Sequence, residues 1–171
     1  MHIEEAFTFC PRCGNKLTPH TVGGFPICSH CGLHFYTNPK PCTTVIIFDN
    51  NGSILLTKRG IEPHKGKWDL PGGFTVPNES IIDSAKREIR EELNIEIEVD
   101  RILDSLPDEY EYQGIVYITL PTIMTAHIIS GTLKAQDDVV SFSFFTPEEA
   151  LKLDLSFRTV AEAIRMIIDL K

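Results

Sequence analysis

A chain of 171 residues, 42% apolar and 23% charged with a formal net charge of −8, can bury one full core and a small appendage. The acidic balance argues against a broad nucleic-acid surface, and no uncharged apolar run reaches the length of a membrane span. The opening residues MHIEEAFTF lack the basic and apolar regions of a signal peptide, so the cytosol is the expected compartment and no membrane partner is expected.

The first informative stretch is a pair of CxxCG knuckles, Cys10-Pro-Arg-Cys13-Gly and Cys28-Ser-His-Cys31-Gly. Four thiolates at this spacing are the ligand set of a tetrahedral Zn²⁺ ribbon, expected over residues 1–37. Two disulfides are the competing reading, disfavoured by a reducing compartment. His20, His30 and His34 lie nearby, but four cysteines already close the site, so the zinc is expected to be structural. Binding it would supply much of the folding energy of so small a module. Zinc ribbons often touch nucleic acids. This one carries Arg12 and Lys16 against Glu4 and Glu5 with no basic stripe, and packing on the main domain or a partner subunit is expected instead.

Thr37-Asn-Pro-Lys-Pro41 is a short, stiff connection into a main domain taken as residues 38–171. Residues 42–48 read as a buried strand, Asp49-Asn-Asn-Gly52 as a hairpin turn, and residues 53–58 as the returning strand. Cys42 fits a small apolar core residue better than a nucleophile. Residues 58–67, KRGIEPHKGK, concentrate positive charge in an acidic chain. Arg59 directly follows a strand and cannot lose its charge, which makes it the candidate substrate contact in this loop. Trp68 reads as core. The Gly72–Gly73 peptide can approach a cation closely, so the Gly72 carbonyl is a candidate ligand.

Residues 80–93 read as a helix with Asn78 or Ser80 as candidate caps. Ile81, Ile82, Ala85, Ile89 and Leu93 give it an apolar side. Glu88, Glu91 and Glu92 stand at i, i+3 and i+4, so their carboxylates leave one face and repel one another unless a cation sits among them. Oxygen ligands of this kind suit Mg²⁺ or Mn²⁺. A solvated acidic face is the bland alternative.

Residues 96–105 and 115–129 read as further strands joined through residues 107–114, with Pro121 implying a break or an edge. Tyr110 and Tyr112 stand where a ring could stack on a base or flavin. Asp137 and Asp138 precede a strand over residues 139–145. Ser156 is the expected cap of a last helix whose Phe157, Val160, Ala161, Ile164 and Ile168 form an apolar stripe. No internal repeat or low-complexity segment is evident.

Gly73, five residues, Glu79, seven residues, then Arg87-Glu88-Ile89-Arg90-Glu91-Glu92-Leu93-Asn94-Ile95 resembles the Nudix hydrolase signature G-x5-E-x7-R-E-U-x-E-E-x-G-U, where U is aliphatic. One fixed position departs, Asn94 for the final glycine. Asn is the next best residue for the left-handed conformation that position takes. The resemblance implies an α/β fold, an α/β/α sandwich with a mixed sheet, here behind a small zinc ribbon. It implies metal-dependent hydrolysis of a nucleoside diphosphate linked to another group. Glu88, Glu91, Glu92 and the Gly72 carbonyl would hold the ions, and Arg87 would pair with Glu79. Glu91 or a carboxylate outside the helix would be the base, with Asp138 first among these, then Glu109 or Glu111. The partner implied is a small nucleotide, with a homodimer as one arrangement the family uses. The two knuckles, Thr37-Asn-Pro-Lys40, LLTKRGIEP and W-x-LPGG look closest to ribbon-bearing FAD and ADP-ribose pyrophosphatases. NADH pyrophosphatases also carry a ribbon, but no SQPWPFPxS stretch follows Ile95. A non-catalytic ADP-ribose-binding regulator is the rival from outside the enzymes.

Overall fold

The computed structural model describes residues 1–17 and 26–170, so that His20 lies outside the described residues. Its contacts divide the chain into two compact units, Met1–Pro39 with Glu109–Ile118, and Lys40–Asp108 with Thr119–Lys171.

In the first unit a single-turn helix, α1 (Ile3–Ala6), precedes the two knuckles. The knuckles repeat one another at an offset of eighteen residues. Gly14 N–H donates to the Cys10 carbonyl and Gly32 N–H to that of Cys28, both at 2.9 Å. Cys10 N–H reaches the Asn15 carbonyl at 2.7 Å as Cys28 N–H reaches that of Leu33 at 2.9 Å. Leu17 N–H bonds Thr8 as Phe35 N–H bonds Pro26. Gly14 and Gly32 take left-handed φ values of 72° and 70°, a conformation glycine adopts without strain. This local duplication was missed because only the cysteines and glycines are shared in sequence. Cys10, Leu17 and Cys28 are buried together as the unit's small core.

The second unit is built from strands β1 (Lys40–Ile47), β2 (Ile54–Arg59), β3 (Trp68–Asp69), β4 (Ile95–Ser105), β6 (Ile115–Gly131) and β7 (Val139–Phe145), with helices α2 (Ile81–Leu93), α3 (Pro147–Ala150) and α4 (Arg158–Asp169). Strand β5 (Asp108–Tyr112) and the start of β6 form a hairpin that runs into the first unit. Its turn is Gln113-Gly114, both at positive φ, where the sequence reading had only a connection.

The strands form two sheets. One is mixed, in the order β1-β6-β4, with β1 parallel and β4 antiparallel to β6; the other is antiparallel, in the order β3-β2-β7. Val45 and Ile47 of β1 face a core shared with Ala85, Ile89 and Leu93 of α2. Ile46 between them faces a second core, with Val160, Ala163 and Ile164 of α4. A strand alternates its side chains between faces, so the unbroken apolar run of β1 marks a strand covered by helices on both sides. This is the expected α/β/α sandwich.

Four local expectations change. Strands β1 and β2 do not pair as a hairpin; a lone bridge joins Phe48 to Ile54, and the Asp49 turn hands the chain from one sheet to the other. The Asp49 carboxylate accepts from Asn51 N–H and Ser53 N–H at 2.8 Å each, which holds that turn without a two-strand ladder. Pro121 does not break β6. The β4 ladder ends at the Ser105–Thr122 pair, one residue short of the proline, whose missing N–H therefore costs no bond on that side. Ser156 does not cap α4; the Asp108 carboxylate accepts from Thr159 N–H at 2.8 Å, a cap supplied from β5. The α4 stripe includes Ala163 and Ile167 in place of Ala161, which is only partly buried. Among the described residues no helix is long and apolar enough to cross a membrane.

Candidate active site

Helix α2 starts where the sequence placed it. The Ser80 hydroxyl accepts from Asp83 N–H at 3.1 Å, satisfying one of the free donors of the first turn. Asn78 is not the cap; it sits before the helix at φ 73°. Ala85, Ile89 and Leu93 are fully buried, while Ile82 is 38% exposed and leaves the expected apolar side. The helix ends at Asn94 in the left-handed conformation (φ 56°), its N–H donating to the Arg90 carbonyl at 3.0 Å and its side chain to the Thr132 carbonyl at 3.1 Å. The departure from the signature is thus absorbed locally.

Burial of the Ile89 face turns the three glutamates in different directions. Glu92 is 7% exposed and accepts a hydrogen bond from Gly72 N–H at 3.1 Å. Burial first, then the neighbouring Asp138 charge, pushes its carboxyl well above the ordinary range. Glu88 is also raised, chiefly by burial and against the pull of Arg87. Glu91 is half exposed and bound to the Arg87 guanidinium at 3.0 Å.

Arg87 is the hub. It makes a two-pronged contact with Glu79 at 2.8 and 3.1 Å, holds Glu88 at 2.8 Å, and donates to the Phe74 carbonyl at 3.0 Å. Glu79 also accepts from Val76 N–H at 2.8 Å. These donors, Arg87 foremost, hold its carboxyl down at about 2. The loop over residues 74–79 is therefore pinned to the helix through one guanidinium, whose planar fork suits the paired carboxylate contact.

Glycine 73 lets the loop pass close. A Cβ there would lie 2.5–2.6 Å from the Glu88 carboxylate. The neighbouring Gly72, at φ 138°, would put one onto the Thr43 carbonyl. Backbone bonds fix the peptide in that position, with Thr43 N–H on the Gly73 carbonyl at 2.8 Å and Gly73 N–H on the Thr43 hydroxyl at 3.2 Å.

A small polar cleft opens beside Glu92, lined by Thr57, Arg59, Asp69, Leu70, Gly72, Glu92, Asp138 and Val139. The structure thus brings Gly72, Glu92, Asp138 and Arg59 together, with Glu88 close enough to feel the Asp138 charge. Asp138 is carried there by residues 132–138, which are stitched to the end of α2. Lys134 N–H donates to the Leu93 carbonyl at 3.0 Å and Gln136 N–H to that of Glu92 at 2.9 Å. Gly60 N–H grips the Asp138 carbonyl from the other side at 2.6 Å. Tyr110, Tyr112, Glu109 and Glu111 belong to the first unit, and Tyr112 is half exposed.

Sequence reasoning missed Asp69. It is buried and ion-paired with Arg59 at 2.9 Å. The signal was present as an acid between Trp68 and Leu70, two residues that both read as core.

In the first unit the four cysteine sulfurs lie within 4.8 Å of one another, with Cys10–Cys31 at 3.7 Å and Cys13–Cys28 at 3.5 Å. No disulfide links them. A Zn–S length of about 2.3 Å gives a tetrahedral edge near ~3.8 Å, so the cluster fits a four-sulfur metal site. Backbone and side-chain N–H groups of Asn15 hold the Cys13 thiol down at about 6, while, against the Leu33 N–H, burial and the neighbouring sulfurs push Cys31 up to about 12, so sulfurs this close do not all ionise without a cation among them. Cys42 lies outside this cluster, and burial pushes its thiol up to about 12, away from the thiolate form.

The family model described as NUDIX domain matches residues 38–166, and the chain belongs to that family. It is a Nudix hydrolase. An ADP-ribose pyrophosphatase of Methanocaldococcus jannaschii is 34% identical over 120 residues, which is 69% of this chain and 68% of the relative. The NAD-capped RNA hydrolase NudC of Salmonella heidelberg is 31% identical over 99 residues, 58% of this chain but only 38% of that protein. Among solved structures, a NUDIX hydrolase from Nitrosomonas europaea superposes with a TM-score of 0.73 at 27% identity, covering 92% of this chain and 88% of the other.

Proposed function

We propose that the chain hydrolyses the diphosphate bond of a nucleoside diphosphate linked to another group, with ADP-ribose as the preferred substrate and AMP and ribose 5-phosphate as products. The observation that carries this reading is the excess of acids at the cleft, where the buried carboxylate of Glu92 shares one small polar pocket with Asp138 and burial, then the Asp138 charge, make Glu92 costly to ionise. Such a set is stable in its charged form only beside a cation. FAD, the other preferred substrate from sequence, keeps the same diphosphate chemistry, and the resemblance to ADP-ribose pyrophosphatases favours the smaller one.

Glu88, Glu91 and Glu92 with the Gly72 carbonyl would hold Mg²⁺ or Mn²⁺. When bound, the ion would neutralise the diphosphate and lower the pKa of a coordinated water. The protein's own residues do the rest. Arg87, braced by Glu79, keeps Glu88 in place. Asp138 takes the proton of the attacking water, whose oxygen displaces the leaving phosphate at phosphorus. Glu91 suits that role less, because it is already tied to Arg87. Glu109 and Glu111 belong to the other unit. Arg59 meets the substrate phosphates at the cleft wall. The Cys10, Cys13, Cys28 and Cys31 cluster would hold a structural Zn²⁺ and define residues 1–37 as a ribbon ahead of a catalytic domain over residues 38–171.

A second reading takes NAD-type dinucleotides as substrates, motivated by the likeness to NAD-capped RNA hydrolases. The test is a substrate panel of ADP-ribose, FAD, NADH and NAD-capped RNA with Mg²⁺, read by mass spectrometry. AMP and ribose 5-phosphate should form fastest from ADP-ribose. Binding of ADP-ribose without any AMP would mark a non-catalytic regulator and overturn the proposal.

A further inference from the structure

Arg59 is the only cation among the residues that line the cleft, and three contacts fix it there. Its Nε–H donates to the Pro63 carbonyl at 2.8 Å and its Nη1–H to the Asp69 carboxylate at 2.9 Å. The guanidinium lies over the Phe157 ring, 5.2 Å from the centroid. Side-chain exposures of 14% and 12% for Arg59 and Asp69 put this pair below the surface, where solvent screens it little.

Backbone geometry prepares the arrangement. The β2–β7 register slips between Lys58 and Arg59, and a slip of this kind re-aims a side chain. Strand β3 pairs Asp69 with Thr57, two residues before Arg59. The Thr57 hydroxyl donates to the Asp69 carbonyl at 3.4 Å, so the acid is held from its main chain while its carboxylate engages the arginine.

We propose that Asp69 is a positioning residue for substrate binding: with the Pro63 carbonyl and the Phe157 ring it holds the Arg59 guanidinium at the wall of the acidic cleft, ready to bond a diphosphate oxygen. A buried ion pair contributes little net stability over an apolar pair. What the pair supplies beside the carboxylates is orientation. Left alone, a flexible arginine in this cleft would turn toward Glu92 or Asp138 and neutralise the acids that a cation needs. Asp69 gives it a competing partner behind the cleft and keeps the charges of opposite sign apart. This inference rests on the diphosphate reading above.

The test is a double-mutant cycle on the full chain with Asp69→Asn and Arg59→Ala, singly and together. Two readouts are used: KM and kcat for ADP-ribose with Mg²⁺, and calorimetric binding of inorganic pyrophosphate. Asp69→Asn should raise KM and weaken pyrophosphate binding about 10-fold, the scale of a lost charge-assisted bond, with kcat within about 3-fold. In the Arg59→Ala background the same change should add nothing, because its effect passes through the arginine. Asp69→Glu should restore part of the affinity. An equal loss from Asp69→Asn with and without Arg59, or no loss in the native background, would overturn the proposal. A lowered melting temperature with unchanged KM would show a structural pair only. If Asp69→Asn does not fold, Arg59→Lys takes its place; it keeps the charge and loses the fork, and an unchanged KM would equally overturn the proposal. Should native protein leave ADP-ribose intact while the pyrophosphate cycle still shows coupling, the substrate assignment fails and the role of Asp69 stands.

Discussion

Gly72 donates its backbone N–H to the buried carboxylate of Glu92 across 3.1 Å, joining the loop before the helix to the helix itself. That one bond is the main compensation the structure gives Glu92, whose carboxyl is otherwise pushed up by burial and by Asp138. Replacement of Glu92 by glutamine keeps the shape and removes the charge. Turnover of ADP-ribose should fall by roughly 10²–10⁴-fold, the scale of losing a group that acts in the chemical step, while circular dichroism stays native. Near-native turnover with Mg²⁺ would remove Glu92 from the site.

Gly72 and Gly73 should separate stability from activity. A Cβ on Gly72 falls on the Thr43 main chain, which cannot step aside. Gly72→Ala should therefore cost about 2–3 kcal/mol of stability. On Gly73 the Cβ meets only the end of the Glu88 side chain, which can rotate away. Gly73→Ala should melt close to native yet lose most of its turnover, because Glu88 is displaced from Arg87. Denaturant melts and kcat on the two variants decide this.

Glu79 predicts an acid limb. Its carboxyl falls from 4.5 to about 2 in the folded protein, so its pairing stabilises the fold fully above about pH 4.5 and that contribution is lost as pH falls toward 2. Glu79→Gln should lower the melting temperature at neutral pH and flatten its decline between those limits. A difference between variant and native that stays constant from pH 6 to pH 2.5 would refute the assignment. The same replacement should also lower turnover, since Arg87 loses the anchor of its loop.

Asn94 should tolerate glycine and resist alanine. The left-handed backbone at φ 56° costs a Cβ-bearing residue about 1–2 kcal/mol, relieved here by the side-chain bond to Thr132. Asn94→Ala loses that bond and keeps the strain. Urea titration should rank native and Asn94→Gly close together, with Asn94→Ala below both.

The cysteine cluster should bring down one zinc per chain on elemental analysis, and Cys28→Ser should abolish it. Two disulfides in the unreduced protein by mass spectrometry would sink the metal reading.

The α/β/α layers were implied only by the family resemblance that the residues from Gly73 to Ile95 carry, whereas helix α2 was legible in the sequence because periodicity and the Ser80 cap act within one element. The partition of strands into two sheets was not, because the Asp49 turn reads locally as a hairpin and only Ile46, facing a different helix from Val45, shows otherwise. The same limit hid Asp108 as the cap of α4, half a domain away in sequence. Thr146-Pro-Glu-Glu149, by contrast, carries the local signature of a reciprocal helix cap, and the structure forms it at the start of α3. At the site, the sequence singles out Gly72, Glu88, Glu92 and Asp138 as candidates, and in the structure Gly72, Glu92 and Asp138 line one cleft with Glu88 near enough to feel the Asp138 charge. The opposing pull of Arg87 on Glu88 and Glu91 could not be seen from spacing, and Asp69 needed its partner in view.

Lys134 and Gln136 fill two of the last carbonyls of α2 with their main-chain N–H groups, so the turn bearing Asp138 is tied to the helix through backbone. The gap between their acids is gauged by peptide links, which side-chain replacement along the turn leaves untouched. Only lengthening or shortening the chain between Leu133 and Asp138 would reset it. Drift there by insertion or deletion is the route by which a descendant of this protein would come to place its acid elsewhere.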